Sequence, residues 1–269
     1  MLRSLVGSEM CIRDSAGSTV QPPMTLGNPD VCTDRKRFAH VGLLRGQPMG
    51  TDVAAYFDLD GTLLNASSEK TLAAHLARNR PWRIPWGTIA WTAGFLTNLL
   101  RGRAVYDAAR NRGHFSLASW EVLERYSNQL AEDRLRARVP QQAWDRLDWH
   151  RQQGHRLVLV TATVAPMAEA MARVLSMDEV YGCGPAVRTG RLSGSERGWS
   201  VPRRKGKVPV VQADAKANGH DLSACYGYGN TLADSWFMAL CGHAIAVSPE
   251  GSLRRHAESN GWDIVDWSS

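Results

Sequence analysis

The chain has 269 residues, of which 43% are hydrophobic and 22% charged, the make-up of a soluble globular protein with room for one large domain or two modest ones. Its formal net charge of +6 predicts an acidic partner: a phosphorylated metabolite, an anionic lipid headgroup or nucleic acid. The basic residues form no block, which leaves nucleic acid unexpected, and the scattered cysteines (Cys11, Cys32, Cys183, Cys225, Cys241) contain no Cys-x-x-Cys, arguing against a disulfide framework or zinc site and for a reducing cytosol.

Residues 1–50 are rich in Gly, Pro, Ser and Thr, hold no sustained apolar period and are expected to be a disordered or artefactual segment outside the fold. Met1 to Ser15 lacks the apolar core of a signal peptide. Its run from Ser4 to Ser15 resembles a translated sequencing adapter, so the native start is expected at Met24, at Met49 or in sequence that has been lost.

Val53-Ala54-Ala55-Tyr56-Phe57 reads as a buried strand and leads into Asp58-Leu59-Asp60-Gly61-Thr62-Leu63-Leu64, with Gly61 suited to a sharp turn. Two carboxylates at the carboxyl end of a buried strand lie where open α/β sheets bind ligands. Held side by side in apolar surroundings, they call for a cation or a shared proton.

Residues 66–149 read as a helical unit without strands. Ser67-Ser68-Glu69-Lys70 starts a helix, and Pro81 and Pro85 interrupt the pattern. Residues 84–100 are apolar and carry Trp86 and Trp91, with Arg78, Arg80 and Arg83 before them and Arg101 and Arg103 after. Such a stretch is expected to pack as a helix on its neighbours; the alternative is an interfacial segment with aromatics at headgroup depth and arginines on lipid phosphates. Residues 117–149 are helical again, with Trp120, Leu123, Tyr126, Leu130 and Leu135 on one side.

Strand and helix then alternate: a strand over 157–163, a helix over 167–175, a strand start at Val180-Tyr181, and a hairpin suggested by Thr189-Gly190-Arg191-Leu192-Ser193-Gly194. Lys205-Gly206-Lys207 opens a helix with Pro209 in its first turn and Gly219 at its end. A strand over 222–228 runs into Gly229-Asn230-Thr231-Leu232-Ala233-Asp234, then a helix to Leu240 and last strands over 243–247 and 263–267. This alternation predicts a mainly parallel sheet.

The string Phe57 to Leu64 behind a hydrophobic strand closely resembles the first motif of the haloacid dehalogenase superfamily, whose phosphatases and phosphotransferases work through an aspartyl-phosphate. Thr161, Lys207 and the loop Gly229 to Asp234 resemble its other three motifs in order and placement. The resemblance covers about 52–268. The helical insert looks like a type 1 cap, and the 189–194 hairpin with the Gly206-Lys207-Val208 helix start is similar to subfamily IB, the phosphoserine-phosphatase-like branch.

The resemblance implies an α/β fold, a Rossmann-like mainly parallel sheet formed by 51–65 and 150–269 with the cap formed by 66–149. It implies Asp58 as nucleophile, Asp60 as general acid and base, and Thr161, Ala162 and Lys207 as phosphate-binding residues. Magnesium (Mg2+) would be held by Asp58, Asp60, Asn230 and Asp234. The fourth motif departs from the usual Gly-Asp-x-x-x-Asp, since Asn230 replaces the first acid; an amide oxygen still ligates but brings one charge fewer. Lys205 competes with Lys207. The implied substrate is a small phosphate ester; the alternatives are a lipid phosphate such as phosphatidylglycerophosphate, met by residues 84–103 at the membrane surface, or a non-catalytic binder. Glu69 lies farther along than the glutamate with which phosphoserine phosphatases hold the amino acid, and no arginine aligns. The expected location is cytoplasmic, with peripheral contact at the inner face of the membrane under the lipid reading.

Overall fold

The first predicted strand is the centre of the sheet. In the computed structural model, which describes residues 52–267, Ala54–Phe57 (β1) lies between Arg156–Val164 (β2) and Tyr226–Gly229 (β5) and pairs in parallel with both. Glu179–Pro185 (β3) and Trp199–Ser200 (β4) extend one side, His243–Val247 (β6) and Asp263–Val265 (β7) the other, in the order β4-β3-β2-β1-β5-β6-β7. Among the described residues β4 alone runs antiparallel. The sequence readings on residues 1–50 lie outside the described residues.

All four β1 residues are fully buried, because helices cover both faces of a parallel sheet. Successive side chains alternate between the layers. Ala54 and Tyr56 pack with Val211 of Lys207–Asn218 (α7), Phe237 of Ser235–Met238 (α8) and Leu253 of Gly251–Asn260 (α9). Ala55 and Phe57 pack with Leu147 of Gln141–Gln152 (α5) and Met167 of Ala165–Val174 (α6). A polar tie fixes the first layer: buried Asp214 of α7 accepts from Tyr56 Oη at 3.1 Å, Tyr181 Oη at 2.8 Å and Arg156 at 2.7 Å, joining α7 to β1, β2 and β3.

The insert holds Ser68–Asn79 (α1), Ile84–Leu100 (α2), Val105–Ala109 (α3) and Trp120–Leu130 (α4). Helix is not continuous from 117 to 149: α4 passes into a π turn at Ala131–Leu135, a 3₁₀ turn follows at Arg136–Arg138, and Pro140 separates it from α5. The expected insert boundary at 149 falls inside α5, which lies on the sheet. There its His150 Nε2 is 2.9 Å from Tyr228 Oη, and the ring meets Phe57 edge-on.

The expectation that residues 84–100 pack as a helix holds for one side only. Gly87 is buried, and Trp91 stacks on Phe95 and donates to the Ala109 carbonyl at 3.1 Å. Ile84, Trp86, Ile89 and Leu96 are more than half exposed, as is Trp82 just before them. Among the described residues no helix is long and apolar enough to cross a membrane.

The strands on either side of 189–194 do pair: β3 and β4 run antiparallel through Gly184↔Ser200 and Pro185↔Trp199, so the stretch lies in the long connection of a hairpin rather than in a tight one. This stretch is a loop between β3 and β4, and its partner is the insert: Leu117 N donates to Leu192 O at 2.9 Å, and Leu192 N to Ala118 O at 2.8 Å. Within this connection Gly190 and Gly194 take positive φ, and Leu192 is buried against the insert.

Candidate active site

Four strand ends meet at the carboxyl edge of the sheet. Asp58 directly follows β1, and its N–H donates to the Tyr228 carbonyl of β5 at 3.0 Å. The chain then turns on the Leu59 carbonyl, which accepts from Leu63 N and Leu64 N at 3.0 Å. Gly61 has φ +83°, and a Cβ there would lie 2.1 Å from Asn230 Nδ2, so glycine is needed both for the turn and for the approach of the Asn230 loop. Asp60 accepts from Ser68 N at 3.0 Å, holding the first turn of α1.

Lys207, the first residue of α7, is buried and sets its Nζ 2.6 Å from Asp58 Oδ1 and 2.7 Å from Asp234 Oδ1. Asp234 turns its other oxygen to Thr231, accepting from the backbone N–H at 3.2 Å and the hydroxyl at 2.7 Å. The competing Lys205 instead lies 4.2 Å over the Trp236 ring, exposed.

β2 brings the hydroxyls. Its register with β3 runs through Val160↔Tyr181 and then shifts to Val164↔Cys183, so the strand bulges over Thr161, Ala162 and Thr163. Thr161 Oγ1 donates to Thr163 Oγ1 at 3.2 Å and accepts from Thr163 N at 3.2 Å. Every candidate (Asp58, Asp60, Thr161, Ala162, Lys207, Asn230 and Asp234) lines one cavity of about 1250 Å³.

The sequence reading did not find the rest of the wall. Buried Arg112, from the loop after α3, pairs with Glu69 of α1, donates to the Ala162 carbonyl at 2.6 Å, and lies 3.4 Å from Glu196, which pairs with Arg203 at 2.9 Å. His114 Nε2 is 3.4 Å from Glu69. The signal available was Arg110-Asn111-Arg112-Gly113-His114, a cation-rich break between helical segments.

Burial pushes the Asp58 carboxyl up to about 7 against the pull of Lys207, with Asp234 adding to the rise. Burial likewise raises Asp60 to about 6, opposed by its hydrogen bonds to Ser68. Burial works against the Lys207 charge, but the carboxylates of Asp234 and Asp58 outweigh it and raise its pKa. Burial favours a neutral Glu69, yet Arg112 outweighs it and keeps that carboxyl low.

Lys207 is shared by two carboxyl groups, Asp58 and Asp234, and the atoms that Asp58, Asp60 and the Asn230 carbonyl offer are oxygens, a set that fits a hard cation such as magnesium. Among the described residues no three His, Cys, Asp or Glu side chains are gathered in metal-ligand geometry. Both oxygens of Asp234, expected at the metal, are taken by Lys207 and Thr231. The oxygen donors closest to the Asp58 turn are Asp60 and the Asn230 amide, whose Oδ1 is 3.4 Å from Thr62 Oγ1.

A parallel sheet with an acid pair behind its central strand and a lysine shared between two carboxylates defines a hydrolytic α/β site of the phosphoryl-handling type. The chain belongs to the haloacid dehalogenase-like hydrolase family, which its residues 55–238 match. It is similar to a probable phosphatase of Mycobacterium tuberculosis, 25% identical over 96% of this chain and 84% of that protein. A phosphoserine phosphatase of the same organism is 28% identical over 85% of this chain and 75% of that protein. Among solved structures, a protein of unknown function from Bordetella pertussis Tohama I superposes with TM-score 0.68 at 27% identity, covering 81% of this chain and all of that one.

Proposed function

We propose that this hydrolase is a magnesium-dependent phosphatase acting on small phosphate monoesters through an aspartyl-phosphate at Asp58. The observation that carries the reading is Lys207 Nζ, buried and within 2.7 Å of both Asp58 and Asp234, with Asp60 beside them at the mouth of the same cavity. The names of the Mycobacterium tuberculosis relatives support phosphatase chemistry.

Asp58, Asp60 and Asn230 would hold magnesium, which when bound would offset the negative charge of the phosphoryl oxygens. Lys207 and the hydroxyl and amide groups of Thr161 and Ala162 hold the phosphoryl group in line with Asp58. An Asp58 carboxylate oxygen attacks phosphorus, the ester oxygen leaves, and Asp60 gives that oxygen its proton. Asp60, now ionised, takes a proton from water; the water oxygen attacks phosphorus, and inorganic phosphate leaves as Asp58 is regenerated. A carboxyl raised to about 6 is suited to both halves of this proton transfer near neutral pH.

Glu69 lines the cavity paired with Arg112 and beside His114, so an acid and an arginine are both present for the ends of an amino acid, and phosphoserine stays among the small esters to be screened. A second reading, lipid-phosphate hydrolysis at the membrane surface, draws support from the exposed apolar side of α2. The test is a magnesium-supplemented screen of soluble esters and of lipid phosphates in mixed micelles. Hydrolysis that falls at least about 10³-fold in Asp58→Asn, roughly 4 kcal/mol of barrier, supports the mechanism. A variant keeping a tenth of the activity overturns the nucleophile, and a folded wild type that cleaves nothing returns the chain to the non-catalytic alternative.

A further inference from the structure

Beside the main cavity lies a second one of about 390 Å³, between α1 and α2. The two share Ala73, Trp91 and His114 in their linings, so they adjoin. Its walls are apolar, from Ala73, Ala77, Ile84 and Gly87, but it also holds Arg80 and Arg83. Arg83 is 3% exposed. It donates one hydrogen bond, to the Ser116 carbonyl, while its Nε and that of Arg80 are buried with no hydrogen-bond partner.

Among the described residues no carboxylate pairs with Arg80 or Arg83. The groups acting on the Arg83 guanidinium besides burial are Arg80 and Arg191, and all of them disfavour its charge. The residues lining the cavity include no acid. α2, a helix of 17 residues, contributes Ile84, Gly87, Thr88 and Trp91 to its wall. A buried cation without a counter-charge costs several kcal/mol, and buried donors without acceptors call for a missing partner. A guanidinium pair is matched by an oxyanion, which accepts from both forks.

We propose that the cavity between α1 and α2 is an oxyanion subsite, taking a phosphate, sulfate-like or carboxylate group on Arg80 and Arg83 next to the reaction cavity. The inference rests on the hydrolase reading for its principal use: a substrate whose monoester phosphate enters the main cavity while a second anionic group, on an apolar linker past Ala73 and Trp91, occupies the subsite. A free oxyanion acting as effector is the other source of the same chemistry.

The experiment compares the wild type with Arg83→Gln and with Arg80→Gln, whose side chain makes no hydrogen bond and so carries little risk to folding. Alkanediol bisphosphates are assayed against hydroxyalkyl monophosphates of equal chain length. The expected result is a kcat/KM preference for the bisphosphate of roughly tenfold, about 1.4 kcal/mol, that shrinks to within about threefold in either variant while turnover of the monophosphate is kept. In a second arm, sulfate is titrated into a thermal unfolding measurement. It should raise the Tm of the wild type more than that of the variants; without sulfate the Tm of Arg80→Gln should equal or exceed the wild-type value because a like-charge repulsion has been removed, whereas Arg83→Gln also loses its hydrogen bond to the Ser116 carbonyl. A sulfate effect on Tm and on monophosphate turnover, both Arg83-dependent, without bisphosphate preference assigns the subsite to a free effector. Failure of the hydrolase reading shows as no turnover of any ester with the Arg83-dependent sulfate shift intact. Equal bisphosphate preference and equal sulfate response in all three proteins overturns the subsite.

Discussion

Gly61 and Asn230 depend on each other. The turn after Asp58 needs φ +83° at Gly61, and the missing Cβ is what lets the Asn230 amide sit there. Gly61→Ala should therefore lose roughly 1–2 kcal/mol from the backbone alone, and more from displacing Asn230. Urea unfolding measures the stability, and a magnesium titration of hydrolysis should move in the same variant. A Gly61→Ala protein with wild-type stability would mean the turn relaxes. Asn230→Asp tests the other partner. An added carboxylate near Asp58 should tighten magnesium binding, with a net gain of roughly 1 kcal/mol lowering the half-saturating concentration about fivefold after desolvation is met. An unmoved titration would remove Asn230 from the metal. Legibility at this scale was uneven. Asp58, Asp60, Thr161, Lys207 and Asp234 could be read because each follows a local strand or helix signal. Arg112 could not: its partners Glu69, Ala162 and Glu196 come from three distant segments, and no local period records such a meeting.

Among the elements, α2 departs furthest from the expectation of a buried helix. Its hydrophobic residues lie all round it, so periodicity could mark a helix but not a packed face. Most strands were legible from short apolar runs, but the run 222–228 forms a strand only from Tyr226, after a turn at 222–224, and the last strand stops at Val265 rather than 267. The layer occupied by α5 was not legible, since its amphipathic pattern is the same on a sheet as on a helical insert. If the exposed side of α2 meets a bilayer, the protein should co-sediment with anionic vesicles at low salt. Trp86→Ser with Ile89→Ser should weaken this through lost apolar contact, and Arg101→Glu with Arg103→Glu through lost charge. Arg83 is buried and takes no part in such a surface, unlike its neighbours in the sequence. Added salt should weaken the charge contribution, which is screened over about 10 Å at 0.1 M. Absence of sedimentation at low salt removes the lipid reading and leaves the small soluble esters.

Over the whole molecule, stability against acid is set partly by a histidine behind the central strand that does not line the cavity. His150 is fully buried, 2.9 Å from Tyr228 Oη and 2.8 Å from His155 Nδ1, and burial together with His155 pushes its pKa from 6.5 down to about 3. The unfolded chain therefore binds the proton first. The contribution is fully present above pH 6.5 and is lost as pH falls toward 3. Between pH 6.5 and 5 that amounts to roughly 2 kcal/mol. Asp58 and Asp60, with raised values, act in the opposite direction over the same range, so a wild-type curve alone is ambiguous. His150→Gln isolates the effect: its urea midpoint should fall less than the wild type's between pH 7 and 5, whatever its stability at pH 7. Parallel pH profiles would show that the histidine takes up its proton equally in the folded and unfolded states.

The position of β1 has a consequence for biosynthesis. Among the described residues the strand that leaves the ribosome first is the middle of the finished sheet, and its second neighbour begins only at Tyr226. Until β5 emerges, the nascent chain carries an apolar strand with one row of backbone donors and acceptors unpaired, the kind of open edge on which unfinished chains associate. Translation halted between β2 and β5 leaves half a sheet in that state, so chaperone demand falls in this interval. Products ending before Tyr226 are expected in the insoluble fraction, and for the same reason Asp58 waits through most of translation for Lys207 and Asp234.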